Sequence, residues 1–269
     1  MSGSEVSTPG PPDDILATEV FSAIQGEAAL VGHRQVFVRL TGCNIRCAYC
    51  DQPEALNRRP GPCRIEQTPG RRDWRVEDSP LPIASLTAAV DHLCRLLPHH
   101  SISLTGGEPL MQSRGVVELT AQLAAGGRAV MLETNGSLVP TLERMVPFLT
   151  YVSMDVKLPS VDGEAVSPDV QRRFLDSALA AQLDTWVKIV VGATTDPGEF
   201  DAAIAMVAAS AHNGGPDRGP EVFLQPVTPF GSVEAAPSPE QVLELQERAL
   251  RVYPRVRVVP QTHKGIGQL

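Results

Sequence analysis

The residues best equipped for chemistry are three cysteines in "TGCNIRCAYCDQPE": Cys43, Cys47 and Cys50, spaced C-x3-C-x2-C. Three uses of such thiols are open. A structural zinc site wants four ligands, commonly as two separated pairs; no second pair exists, so His33 or His263 would have to complete a Cys3His set. A redox pair, Cys47 and Cys50, leaves Cys43 idle. A [4Fe–4S] cluster takes four ligands, usually thiolates, so three cysteines would leave one iron open to a chelating ligand. The five cysteines are an odd number, which suits a disulfide framework poorly. Of the other two, Cys63 lies in Pro/Gly-rich text expected to be a loop. Cys94 lies on a helical apolar face and reads as a small core residue.

More polar and glycine-rich text recurs at regular intervals: "TGGEP" (105–109), "ETNG" (133–136), "SMDVK" (153–157) and "QPVTP" (225–229). Each follows an apolar, β-branched run, and helical periodicity separates these runs. Helices are expected over 83–97, 115–125, 140–149, 168–182, 197–211 and 239–251. Between them lie strands "SISLT", "AVMLET", "YVSMD", "TWVKIVV", "EVFLQ" and "VRVVP". Strands alternating with helices predict βα units on a parallel sheet. In such sheets ligands bind at the carboxyl ends of the strands. The cysteines follow the strand "QVFVRL" and thus fall at the same end, which predicts one shared site. Lys188, inside "TWVKIVV", has two readings, a barrel-interior cation or a strand lysine snorkelling to solvent, and the second is the commoner.

The chain has 269 residues, enough for a buried core, and is 42% hydrophobic and 20% charged with a net charge of −8. That balance speaks against a broad nucleic-acid-binding surface, and no apolar run is long enough to span a bilayer. The N-terminal "MSGSEVSTPGPPDD" lacks the basic and apolar regions of a signal peptide, so a reducing, cytoplasmic setting is expected. Residues 1–14 read as a disordered lead and 15–269 as one domain, with an irregular loop insertion over 53–80.

C-x3-C-x2-C with an aromatic residue, Tyr49, before the last cysteine resembles the radical S-adenosylmethionine superfamily signature. "TGGEP" resembles that superfamily's glycine-rich strand end, whose glycines let backbone carbonyls approach the methionine ammonium. The resemblance implies an α/β fold, a modified partial (β/α)6-type barrel. It also implies that Cys43, Cys47 and Cys50 hold a [4Fe–4S] cluster with S-adenosylmethionine on its open iron. In that superfamily an electron from the cluster cleaves the sulfonium, and the 5′-deoxyadenosyl radical abstracts hydrogen from substrate.

The text "EVFSAIQGE…FVRLTGCNIRCAYCD", with "SLTGGEP", "ETNG", "VSMDVKLPS", "LQPVTP" and "PQTHKGIG", is similar to the 7-carboxy-7-deazaguanine synthase family. These lyases of queuosine and deazapurine biosynthesis contract 6-carboxy-5,6,7,8-tetrahydropterin to 7-carboxy-7-deazaguanine with loss of ammonia. By the resemblance, Ile24, Gln25, Gly26, Arg39 and Thr105 contact substrate, Arg39 at its carboxylate. Glu27 would meet the aminopyrimidine edge, and His263 matches substrate-side text. Tyr49, Asp51, Gly107, Ser153, Asp155, Lys157, Gln225, Pro226, Val227 and Thr228 match cofactor contacts, Ser153 foremost in its segment. The family's magnesium-binding threonine is Gln52 here, whose amide oxygen can bind a hard cation such as magnesium although its longer side chain would displace the ion. The family's G-E-G reads Gly26-Glu27-Ala28. The resemblance further implies an electron donor such as flavodoxin or ferredoxin and a homodimer. Other readings are a radical enzyme on another carboxylated heterocycle, an activase, or a non-catalytic zinc- or cluster-binding protein.

Overall fold

The computed structural model describes residues 14–57, 61–164, 166–214 and 219–268. Its strands are β1 (Asp14–Ile15), β2 (Ala17–Ile24), β3 (Arg34–Leu40), β4 (Cys63–Glu66), β5 (Trp74–Glu77), β6 (Leu81–Pro82), β7 (Ser101–Gly106), β8 (Val130–Thr134), β9 (Tyr151–Val156), β10 (Asp184–Val191), β11 (Glu221–Pro226) and β12 (Val256–Val258). The helices are α1 (Ile83–Leu96), α2 (Ser113–Ala125), α3 (Val139–Met145), α4 (Pro159–Asp162), α5 (Pro168–Ala180), α6 (Pro197–Gly214), α7 (Pro239–Leu250) and α8 (Thr262–Gly265). The lead expected over 1–14 lies outside the described residues except for Asp14, which begins β1.

Ten strands form one sheet in the order β12-β11-β10-β9-β8-β7-β3-β2-β4-β5. Neighbours from β3 to β12 run parallel, whereas β2 and β3 are an antiparallel pair. Each parallel crossover carries a helix, as parallel pairing requires a long connection. Period-2 alternation sorts the side chains. Val130 and Leu132 of β8, Val187 and Ile189 of β10, and Val222 and Leu224 of β11 pack with the helices in the main core. The opposite, inward face is apolar only at its lower level, where Met131, Trp186 and Phe223 cluster with Ala28 and Leu30 from the turn after β2. Above that floor the inward residues are mostly polar, Glu133, Asp155, Lys188 and Gln225, with Val190 among them.

Local chemistry explains the helix limits. Helix α7 starts at a capping box in which Ser238 accepts from the Gln241 N–H and the Gln241 side chain accepts from Ser238 N–H. Helix α3 stops earlier than expected and passes into a 3-10 turn over 146–148, because Pro147 has no N–H to continue the ladder.

Two expectations need correction. Residues 53–80 are not an unstructured insertion: β4 pairs parallel with β2, and β5 pairs antiparallel with β4, extending the sheet. Cys63 is therefore not in a loop but fully buried at the start of β4. Each strand has only four residues, too few for alternation to stand out from Pro/Gly-rich text. Cys94, as expected, packs against the core. Removing the ring that closes the barrel floor, by Phe223→Ala, should cost about 3–5 kcal/mol of stability in denaturant unfolding.

Candidate active site

At the carboxyl ends of the inward-facing strands lies a cavity of about 300 Å³. Of the residues that the family resemblance assigns to the site, all line it except Ser153 and Pro226. Ser153 shares the inward face of β9 with Asp155 but sits one step lower, beside Trp186 in register and buried. Pro226 alternates to the other face of its strand end. Alternation and depth, which motif spacing does not encode, exclude both.

The cysteine loop forms one wall and is stitched to several strand ends. Gly42 N–H donates to Ala55 O at 2.8 Å, and Glu108 N–H donates to Gly42 O at 2.7 Å. Ala48 N–H donates to Asp162 O at 2.9 Å, and Ser232 N–H donates to Ala48 O at 3.1 Å. Asn135 Nδ2 donates to Asn44 Oδ1 at 2.9 Å, and Arg46 N–H donates to Glu164 Oε2 at 2.7 Å. The "TGGEP" glycines serve this docking. A Cβ on Gly106 would overlap Leu40 O, and one on Gly107 would overlap Gly42 O. Gly106 also adopts a φ of +121°, which only glycine tolerates readily. Backbone thus fills the Cβ directions of both glycines, while Gly106 and Gly107 still line the cavity. Glu108 then ties β7 to β8: its carboxylate accepts from Leu110 N–H, Thr134 Oγ1 and Asn135 N–H, although burial pushes its pKa up to about 7.

The three thiols face the same cavity, half-buried. Burial raises the Cys43 pKa and pushes Cys47 up to about 12, with Lys157 the main opposing cation. A thiolate in this setting calls for the positive charge that bound iron supplies. Among the described residues no three His, Cys, Asp or Glu side chains converge as a single-ion site; a cubane spreads its thiolate ligands over separate irons and does not need that convergence. His33 is no candidate fourth ligand, since its ring packs at a tilt against His100, with centroids 4.1 Å apart, near the floor. Gln52 lines the cavity, but the neighbouring Asp51 carboxylate is taken by Lys264 Nζ at 2.8 Å. One neutral amide and one engaged carboxylate do not by themselves make a magnesium site.

The interior wall is a connected polar network. Lys188 Nζ lies 2.5 Å from Glu27 Oε2 and 3.1 Å from Asp155 Oδ1, and Asp155 Oδ2 lies 3.1 Å from Lys157 Nζ. Glu27 Oε1 accepts from Gln261 Nε2 at 2.8 Å and from Gln225 Nε2 at 3.3 Å. Burial opposes ionisation of Glu27, but Lys188 prevails and holds its pKa at about 2. Burial likewise opposes the charge on Lys188, and Asp155 and Glu27 raise it above the usual lysine range. Glu133 accepts from Gln25 Nε2 at 3.0 Å, Ser103 Oγ at 2.8 Å and Thr105 Oγ1 at 2.9 Å; burial pushes its pKa up. Lys188 is therefore not a snorkelling strand lysine but an interior cation, 8% exposed.

A family model described as the radical SAM superfamily matches residues 37–207. The chain is 41% identical over 253 residues to 7-carboxy-7-deazaguanine synthase of Geobacter sulfurreducens, covering 93% of this chain and 96% of the relative. The chain belongs to the 7-carboxy-7-deazaguanine synthase family. The enzyme of that name from Methanothermobacter thermautotrophicus is 33% identical over 264 residues, with 93% and 96% covered. The crystal structure of QueE from Escherichia coli has the same fold, with a TM-score of 0.60 at 20% identity and 92% and 94% of the chains covered. Membership makes this a radical SAM enzyme of lyase type with a [4Fe–4S] cluster and S-adenosylmethionine as cofactors. Among the described residues no helix is long and apolar enough to cross a membrane.

Lys188 and Glu133 join the site although neither stands among the positions that the family resemblance assigns. Glu133 sits inside "ETNG", where strand-end position was the available signal. The C-terminal segment closes the cavity beside Gly26: Thr262 N–H donates to Gly26 O at 2.9 Å, and a Cβ on Gly26 would overlap His263. Burial lowers the His263 pKa. Gly26→Ala should displace residues 261–268, read as faster amide hydrogen exchange there with α1 and α5 unchanged.

Proposed function

We propose that this chain converts 6-carboxy-5,6,7,8-tetrahydropterin to 7-carboxy-7-deazaguanine with loss of ammonia. The observation that carries the reading is one cavity in which three cysteine thiols face a polar wall containing Arg39, Thr105, Glu27 and Glu133. Cys43, Cys47 and Cys50 are assigned to a [4Fe–4S] cluster. Tyr49, Asp51, Gly107, Asp155, Lys157, Gln225, Val227 and Thr228 are assigned to S-adenosylmethionine. When bound, these cofactors supply the 5′-deoxyadenosyl radical that abstracts a substrate hydrogen.

The chain's own residues bind and orient. Glu19 Oε2 accepts from Arg39 Nε at 3.0 Å, which leaves the two Nη groups for the substrate carboxylate in the planar fork that carboxylates favour. Glu27, ionised, accepts from the N–H groups of the aminopyrimidine edge. Ile24, Gln25 and Gly26 line the same side, with His263 packed on Gly26. Glu133 holds Thr105 Oγ1 and Gln25 Nε2 in place between them. The assignment also takes in a flavodoxin- or ferredoxin-type electron donor, a homodimer and a cytoplasmic, reducing setting suited to reduced thiols.

The test is anaerobic reconstitution followed by reductant, S-adenosylmethionine and the carboxytetrahydropterin, with mass spectrometry of the products. Both 5′-deoxyadenosine and the deazaguanine should form, and added magnesium should change the rate little. Absence of 5′-deoxyadenosine above background would sink the radical reading; its formation without deazaguanine would redirect the substrate. Cys47→Ala should abolish the cluster's visible absorbance and all product. Arg39→Met should raise KM by about 10- to 100-fold, the loss expected of a charged hydrogen-bonded contact.

A further inference from the structure

One cation of the polar wall has no task in the proposed reaction. Lys188 is the central cation of the wall: its Nζ meets Glu27 Oε2 at 2.5 Å on the substrate side and Asp155 Oδ1 at 3.1 Å on the cofactor side. Its neighbours above and below on the same strand face are Val190 and Trp186, which offer no hydrogen bond to an ammonium. Register fixes its place, because Lys188 pairs with Asp155 of β9 and Phe223 of β11. The other donors to Glu27, Gln225 and Gln261, are neutral amides and both reach Oε1, so Oε2 depends on Lys188.

We propose that Lys188 is a positioning residue for substrate recognition: it holds the Glu27 carboxylate ionised and aimed, so that Glu27 accepts from the amino and ring N–H groups of a 2-amino-4-oxopyrimidine edge. This deepens the proposed function and rests on it. A protonated Glu27 carries a donor where the edge presents donors, and it clashes electrostatically instead of binding. Without Lys188 the charged form has little support. Burial works against it, Glu133 of β8 and Asp155 of β9 add negative charge, and Lys157 is engaged with Asp155 at 3.1 Å. His263 from the C-terminal segment is a further titratable group that acts on Glu27, and burial disfavours its cationic form.

The sign follows. In the wild type Glu27 stays ionised well below neutrality, so pterin affinity is flat in this group between pH 6 and 8. In Lys188→Met the carboxyl titrates higher, so affinity is retained at high pH and lost as pH falls.

The experiment measures equilibrium binding of 6-carboxy-5,6,7,8-tetrahydropterin to cluster-loaded protein with S-adenosylmethionine and no reductant, between pH 6 and 8. Five proteins are compared: wild type, Lys188→Met, Lys188→Arg, Glu27→Gln and the Lys188→Met/Glu27→Gln pair. Lys188→Met should bind about tenfold more weakly at pH 6 than at pH 8, as expected if the carboxyl titrates within that window. Lys188→Arg should keep the flat profile, and Glu27→Gln should remove the pH dependence from the Lys188→Met background. The double variant also contains no uncompensated buried charge in the Glu27–Lys188 pair, so it reports on the coupling if the single variant folds poorly. A flat profile in Lys188→Met, the same pH dependence in Lys188→Arg, or independent, multiplying losses from the two sites would overturn the inference. A wild type that fails to bind the pterin would instead overturn the substrate reading, and this inference with it.

Discussion

A charge buried without a counter-charge is strongly destabilising, and the interior of this barrel is organised around that constraint. Glu27, Asp155, Lys157 and Lys188 meet in one connected chain of ion pairs, and every link joins residues from different strand ends or from one strand and the turn beyond it. The apolar floor of Met131, Trp186 and Phe223 lies beneath them. Helices cover the other face of the sheet with a continuous hydrophobic core. The sheet is thus sorted into an outer face that supplies the stability and an inner face that spends part of it on polar groups held for chemistry.

The cysteine loop obeys a second constraint, that of close backbone approach. Gly106 and Gly107 let the end of β7 lie directly on residues 40–42, so the loop carrying the thiols is fixed by peptide hydrogen bonds at its base. Asn44, Arg46 and Ala48 then anchor its remaining length to segments following β8, β9 and β11. The C-terminal segment adds a further tie through Lys264 and Asp51. Residues from the two ends of the described chain therefore meet at the same cavity, which explains why so many short motifs, far apart in sequence, carry one function.

Much of this was legible in the sequence, for local reasons. A regular alternation of apolar runs and helical stripes is written residue by residue, and the strand ends follow from it. The cysteine spacing and "TGGEP" are contiguous texts whose chemistry is confined to a few residues. Where the signal was short it was lost: β4 and β5 are four residues each, and Cys63 read as loop although it is buried. Ser153 and Pro226 were included because a motif names neighbours equally, whereas a strand alternates its faces and a cavity has a depth.

By itself the sequence determined the order of elements, the end of the sheet that bears the chemistry, and the thiols that can hold a cluster, because each depends on neighbours along the chain. Tertiary structure alone decided what the interior charges do. Lys188 lies 161 residues from Glu27 and looks like any lysine in an apolar strand. Only strand register and burial turn it into an interior cation, because pairing depends on distance in space and on the low polarity of the surroundings, and neither is carried by local spacing. The "TGCNIRCAYCDQPE" loop shows both sides: its thiols were readable from spacing, whereas the engagement of Asp51 by Lys264 beside Gln52 required the folded chain.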